Sequence, residues 1–265
     1  MPRIALGLEY DGSQFAGWQR QPVLATVQGV VEAALERVAD HVVGCTVAGR
    51  TDAGVHAAGQ VIHFDSDAPR SERNWRLGAN NYLPTNVSVI WARAVAPEFH
   101  ARYSALRRTY RYLILNRDSR SALTAGRATW IHRPLDAARM HLAAQGLVGE
   151  HDFSSFRALS CQARSPVRRL EQIGVQRSGD WLDVTVTANA FLQHMVRNMV
   201  GMLIAIGCGD SPVERLATVL AARDRTQNAA TAPPDGLYLL GVQYPPEFNL
   251  PALGSGAAAP RLVVS

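Results

Sequence analysis

Hydrophobic periodicity changes repeatedly along the first hundred residues, and the order of those changes narrows the possible folds more than any other feature. Ile4, Leu6, Leu8 and Tyr10 alternate with other residues, which predicts a strand ended by the turn Asp11-Gly12-Ser13. A loop follows through Gly17-Trp18-Gln19-Arg20-Gln21-Pro22. Thr26 then stands as an N-cap, and Val27, Val30, Val31, Ala34, Leu35 and Val38 recur at helical spacing, so 27–39 is expected to be an amphipathic helix. Residues 42–48 and 60–64 read as two strands, 74–83 as a short helix, and Val87, Val89 and Trp91 as a further strand. Strand, helix, strand, strand, helix, strand is the split βαβ order of a ferredoxin-like half.

The second half follows a similar order without a visible sequence repeat. Residues 108–115 predict a strong strand, 135–148 a helix, and 168–176 with 181–187 a hairpin around Arg177-Ser178-Gly179-Asp180. Leu192, Met195, Val196, Met199, Met202, Leu203 and Ile206 form another helical stripe. Ser211-Pro212-Val213-Glu214 reads as a capping box with proline at the first helical position, opening a helix to about Arg223. Residues 237–243 close the chain as a strand. The expected fold is α+β: a mixed, mainly antiparallel sheet built from two ferredoxin-like halves flanked by helices. The halves are placed at 1–104 and 105–250, with 251–265 a flexible tail.

Composition removes several classes of function. Of 265 residues, 47% are hydrophobic and 18% charged, which suits a chain with a real core and excludes disorder throughout. No apolar run reaches the length of a membrane span. The N-terminus meets Glu9 early and lacks the apolar core and cleavage site of a signal peptide. Cys45, Cys161 and Cys208 are odd in number and widely spaced, so neither a disulfide framework nor a zinc site is expected. The reducing cytoplasm is the expected compartment. Cys45 and Cys208 read as small buried residues and Cys161 as a loop thiol.

All 27 basic residues are arginine. Residues 1–104 carry 9 arginines against 10 acids, whereas 105–250 carry 17 against 12. Basic charge gathered in one half fits a polyanionic partner, and arginine brings planar, bidentate contacts to phosphate.

The most specific local string is Gly49-Arg50-Thr51-Asp52-Ala53-Gly54-Val55-His56-Ala57, set between two predicted strands. Its glycines permit sharp bending or close backbone approach. Taken alone, the string also suits a structural turn with Asp52 capping and His56 packed. Asp52, His56 and His63 could be read as metal ligands of a hydrolase, but the spacing is not a recognisable ligand set, and no metal is expected.

Six landmarks occur in order: LEYDGSQFAGWQRQP at 8–22, GRTDAGVHA at 49–57, FHARYSALRRTYRYLI at 99–114, HDFSSFR at 151–157, FLQHMVRNMVG at 191–201 and GLYLLGVQYP at 236–245. With these the chain resembles the tRNA pseudouridine synthases of the TruA family from about residue 3 to residue 246. The resemblance implies an isomerase that converts uridine to pseudouridine in the tRNA anticodon stem-loop, at positions 38, 39 and 40. Substrate and product contain the same atoms, so no cofactor is expected, and no nucleotide-binding glycine pattern occurs.

The resemblance also assigns roles. Asp52 is the expected nucleophile. Arg197, three residues beyond His194 on the more polar face of its helix, is its expected cationic partner. Tyr110 is expected against the flipped base, and flipping is less costly in a loop than inside a duplex. Arg50 is expected to contact the RNA. Arg102, Arg107, Arg108, Arg111, Arg164, Arg168 and Arg169 are candidates for holding phosphates, with Arg108, Arg164 and Arg168 placed in the binding site. A homodimer is implied as well. The competing reading is a non-catalytic RNA-binding protein with tandem RRM-like halves, its aromatic cluster lying at Arg107 to Tyr112.

Overall fold

The computed structural model describes residues 1–251. Apart from Pro251, the tail expected at 251–265 lies outside the described residues. The described residues form ten strands and five α-helices, an α+β protein with mixed, mainly antiparallel strand pairing. They fall into two compact units, Met1–Arg108 with the residues from Tyr238 onward, and Thr109–Leu237.

The first unit begins with β1 (Arg3–Tyr10), α1 (Val27–Ala39), β2 (Thr46–Val47), β3 (His56–Asp65), α2 (Glu72–Tyr82) and β4 (Val87–Val95). Strand order β4-β1-β3-β2 is the ferredoxin-like arrangement anticipated from the element order. Thr26 caps α1 by accepting the Gly29 amide at 3.3 Å, and Ser71 caps α2 by accepting that of Asn74. Leu6, Leu8 and Ile62 of the sheet and Leu35 of α1 are fully buried, and Phe64 meets Trp75 of α2 edge-on at 5.0 Å. Each such side chain contributes about 1.5–3 kcal/mol. Gly78 lets α2 approach Val38 of α1, where an added Cβ would stand 3.0 Å from Cγ2.

Two expectations change here. The strand placed at 42–48 shrinks to Thr46–Val47, because the Cys45 amide donates to Glu32 Oε1 at 3.0 Å rather than joining the ladder. Trp91 leaves the face it was expected to share with Val87 and Val89. A β-bulge pairs Leu8 with Val89 but Gly7 with Trp91, and the indole lies where a Cβ on Gly7 would be.

The second unit contains β5 (Arg107–Asn116, from Thr109 on), β6 (Thr129–Ile131), α3 (Ala137–Gln145), β7 (Gly149–Asp152), β8 (Val167–Ser178), β9 (Trp181–Ala188), α4 (Met195–Gly207) and α5 (Arg215–Ala222). Its strands run β5-β9-β8-β7, with β6 parallel to β5. The elements β5, α3, β8, β9 and α4 retrace the first five of the other unit, and β5-β9-β8 retraces β1-β3-β2. The β8–β9 hairpin turns at Gly179, whose φ of 56° only glycine adopts freely. Leu182, Val184, Val186 and Ala188 alternate inward along β9.

The capping box at 211–214 does not form. The amides of Asp210 and Ser211 both reach back to Ala205 O, so Ser211 finishes α4 instead of starting the next helix, and α5 opens at Arg215 without a side-chain cap. α3 starts at Ala137 because Asp136 caps it. A final strand, β10 (Leu237–Gln243), returns the chain to the first unit at Tyr238 and pairs in parallel with β3 at His56 and Ala57.

His63 of β3 is buried, and its Nδ1 accepts the Ala101 amide at 3.1 Å. Burial, aided by the positive charge of Arg3 and by His100 and opposed by Asp65, holds its pKa down at about 4. An imidazole that is harder to protonate folded than unfolded stabilises the fold above the unfolded pKa near 6.5. That stability is lost as pH falls from about 6.5 towards 4, up to roughly 3 kcal/mol in all. Urea titrations across this window are expected to show stability rising with pH, and His63→Gln is expected to flatten the slope. An unchanged slope in that variant would refute the assignment.

Candidate active site

The loop carrying Asp52 is held by backbone on both flanks. Trp18 N donates to Thr51 O at 3.0 Å, Gly54 N to Phe15 O at 3.3 Å, and Val55 N closes a turn on Asp52 O at 3.1 Å. Gly12 N donates to His56 Nδ1 at 3.0 Å, and an added Cβ on Gly12 would lie 2.0 Å from Val55 O. Gly17 has a φ of 92°, and a Cβ there would stand 2.9 Å from Thr51 O and 3.1 Å from Asp52 C. The two segments therefore pack main chain to main chain.

Beneath the loop runs a closed polar circuit. The Thr51 hydroxyl meets Tyr10 Oη at 2.8 Å, and Gln60 Nε2 donates to Tyr10 Oη at 3.3 Å and to Gly49 O at 2.8 Å. Burial pushes the Tyr10 phenol up to about 12, against the opposing effect of its bonds to Thr51 and Gln60. A β-bulge between Gln60 and Ala57 aims Gln60 at this circuit. On this frame Asp52 is half-buried and Arg50 exposed.

His56 is 1% exposed, stacks on Tyr238 at 4.6 Å, and stands 3.3 Å from Asp11 Oδ1. It is packed, as the turn reading of the string had it. With His63 held by Ala101, each histidine has one ring nitrogen accepting a main-chain amide. Among the described residues no group of three or more metal-ligating side chains is assembled.

Arg108 is 9% exposed and serves the fold. Its guanidinium donates to Ala48 O at 3.1 Å, Arg102 O at 2.7 Å and Ala105 O at 3.3 Å, bracing the entry to the Asp52 loop.

In the second unit, Tyr110 is buried on β5 and meets Phe191 edge-on at 4.9 Å. Arg197, half-buried on α4, donates through Nε to Ala232 O at 2.8 Å, while Ala232 N returns a bond to Arg197 O at 3.1 Å. His194 enters α4 with a φ of 62°, a left-handed conformation one turn ahead of Arg197.

The segment 229–236 links α4 to β5. It touches Gly201 so closely that an added Cβ would sit 2.0 Å from Ala230 O. Pro233 O accepts Tyr112 Oη at 2.7 Å, and Gly236 O accepts Leu113 N at 2.8 Å. Asn198, fully buried, holds the other end through Thr231 Oγ1 at 2.7 Å and Arg225 Nη2 at 3.1 Å. Arg164 and Arg169 are exposed in this unit. Arg168 is half-buried and folds back on Ser165 O and Val167 O, and desolvation lowers its pKa. Arg111 pairs with Asp183. The supports at Tyr10, Gln60 and Asn198 escape sequence reasoning.

A family model described as tRNA pseudouridine synthase matches residues 8–104 and 143–245. A protein named tRNA pseudouridine synthase A from Coxiella burnetii (strain Dugway 5J108-111) is 54% identical over 97% of this chain and 98% of the relative. One of the same name from Methylococcus capsulatus is 57% identical over 94% and 92%, and one from Cronobacter sakazakii 53% identical over 94% and 92%. The chain belongs to the tRNA pseudouridine synthase family. Asp52, Arg50, Arg164, Arg168 and Arg197 fall inside the matched residues, and Tyr110 lies between the two matched stretches.

Gly17→Ala should separate loop support from bulk packing. Both its φ and the contact with Thr51 O resist a side chain, so a loss of about 1–3 kcal/mol and a fall in turnover are expected. Gly44→Ala, where nothing lies within 4 Å of an added Cβ, serves as the control and should leave both nearly unchanged. Urea midpoints and turnover measured on the pair check this.

Proposed function

We propose that this tRNA pseudouridine synthase isomerises uridine in the anticodon stem-loop, at positions 38, 39 and 40, with Asp52 as nucleophile. The family match spanning the Asp52 loop carries the reading. In the reaction the bond from uracil N1 to ribose C1′ breaks and a bond from C5 to C1′ forms. One proton leaves C5 and one is gained at N1, so atoms balance without a cofactor. Asp52 is the covalent partner of the uridine while the base is detached, splitting one hard step into easier ones.

Arg197 is the cationic residue assigned to the reaction. Tyr110 stacks on the everted base, a contact of about 1–3 kcal/mol. Flipping the base out costs a few kcal/mol, less in a loop than in a duplex. Arg50 and Arg164 contact the RNA. Arg108, whose guanidinium is occupied by three carbonyls, acts on the loop rather than on phosphate.

Release of tritium from tRNA labelled at uridine C5 tests the chemistry. Asp52→Ala and Asp52→Asn are expected to abolish release while tRNA affinity stays within a few-fold. Appreciable turnover by either variant would remove Asp52 from the mechanism. A pseudouridine map of tRNA from cells lacking the protein tests the positions, which should lose the modification at 38, 39 and 40.

A further inference from the structure

The turn 100–104 of the first unit carries an unusual pair at its tip. Tyr103 is 76% exposed, and the guanidinium of Arg102 stands 5.6 Å from its ring centroid. An exposed aromatic on a loose loop would mean little. This turn is fixed. Ser104 N donates to His100 O at 2.9 Å, His100 N donates to Ser104 Oγ at 3.0 Å, and His100 Nδ1 accepts both the Arg102 and Tyr103 amides at 3.1 Å. Below it, Tyr244 Oη donates to Ala101 O at 2.6 Å, His63 takes the Ala101 amide, and Arg108 takes Arg102 O.

The Tyr103 ring itself leans on the His100 imidazole, with centroids 4.3 Å apart and planes 31° apart. Its orientation is thus set before any ligand arrives. The charges that act on His100 are cationic, Arg3 and Arg102; with burial as the larger cause, they hold its pKa low. A rigid ring with a guanidinium beside it suits a flat, anionic polymer. Nucleobases stack on such a ring whatever their sequence, and the neighbouring arginine meets the phosphate.

We propose that Tyr103 and Arg102 form a tRNA contact separate from the flipped uridine, Tyr103 stacking on an unpaired nucleobase and Arg102 meeting the adjoining phosphate. The inference rests on the family's tRNA substrate. Through Arg108, which bonds both Arg102 O and Ala48 O, the turn is braced against the strand that leads into the Asp52 loop.

Three variants of the full chain test the contact, with tRNA as the probe. Tyr103→Ala should raise KM and the dissociation constant for tRNA by about five- to a hundredfold, the range of one lost base stack, with kcat and Tm unchanged. Tyr103→Trp should bind as the parent does, and its added fluorescence should be quenched by tRNA. Arg102→Ala should lower the slope of log affinity against log salt by about one phosphate contact. Parental affinity in Tyr103→Ala, or an unquenched tryptophan at 103, overturns the proposal. So does a change in self-association, by sedimentation, that accounts for any loss of affinity, since the turn would then contact a second copy. Absence of tritium release by the unmodified protein would instead defeat the functional reading itself.

Discussion

Main chain packs directly on main chain where residues 12–18 meet residues 51–56, and the Asp52 loop has its shape because of that contact. A side chain on Gly12 or Gly17 would push the segments apart by the width of a methyl group. Without one, amides and carbonyls of the two loops satisfy each other, and the burial of a loop backbone costs little. The arrangement reaches further. Val27 N and Gln28 N, donors left over at the start of α1, go to Gly17 O and Trp18 O. A helix N-terminus thereby completes its hydrogen bonds with the same loop that supports Asp52. The Tyr10–Thr51–Gln60–Gly49 circuit closes the other side, and each member removed would leave a buried polar atom without its partner.

The second unit holds its candidate residue Arg197 by a different device. Arg197 sits on a helix, which is rigid, but its guanidinium is long and has many rotamers. The segment 229–236 restricts it by taking Nε at Ala232 O. That segment has little regular structure of its own. It is held by Asn198 and Arg225 at one end and by Tyr112 and Leu113 of β5 at the other. Tyr112 is the clearest example of a core aromatic with a polar task. Burial drives its phenol well above the ordinary tyrosine range, opposed by the Thr129 hydroxyl, so it stays a donor for Pro233 O.

Much of this was legible in the sequence, for identifiable reasons. The helix at 27–39 announces itself through its cap and a clean apolar stripe, and the strands β1, β5, β9 and β10 through apolar periodicity or continuous burial. The Asp52 string stands out by its glycines. What failed to show depends on single extra residues or on distant partners. A one-residue bulge turns Trp91 over, and no periodicity reveals it in advance. Glu32 draws the Cys45 amide away from a ladder that its neighbours' composition favours. Ser211 and Glu214 have the spacing of a capping box, yet the end of α4 claims Ser211 first. β6 and β7 are too short to carry a pattern. Gln60 and Asn198 look like ordinary polar residues until the carbonyls they serve are placed beside them.

The lysine-free composition bears on how the charge should be read. An ammonium is a point donor, whereas a guanidinium presents five N–H groups in a plane. The structure exploits this repeatedly. Arg3 bonds both oxygens of Asp65 and two carbonyls, Arg108 three carbonyls, and Arg177 two carbonyls and Asn116. Arg111 and Arg133 pair with Asp183 and Asp210. Part of the arginine surplus of residues 105–250 is therefore engaged within the protein, with Arg108 buried among carbonyls and Arg111 half-buried against Asp183. Arg50, Arg102, Arg164 and Arg169 are among the arginines that stay exposed. A guanidinium that stays exposed offers a phosphate the same flat, forked face, so each such contact is directional where an ammonium's would not be.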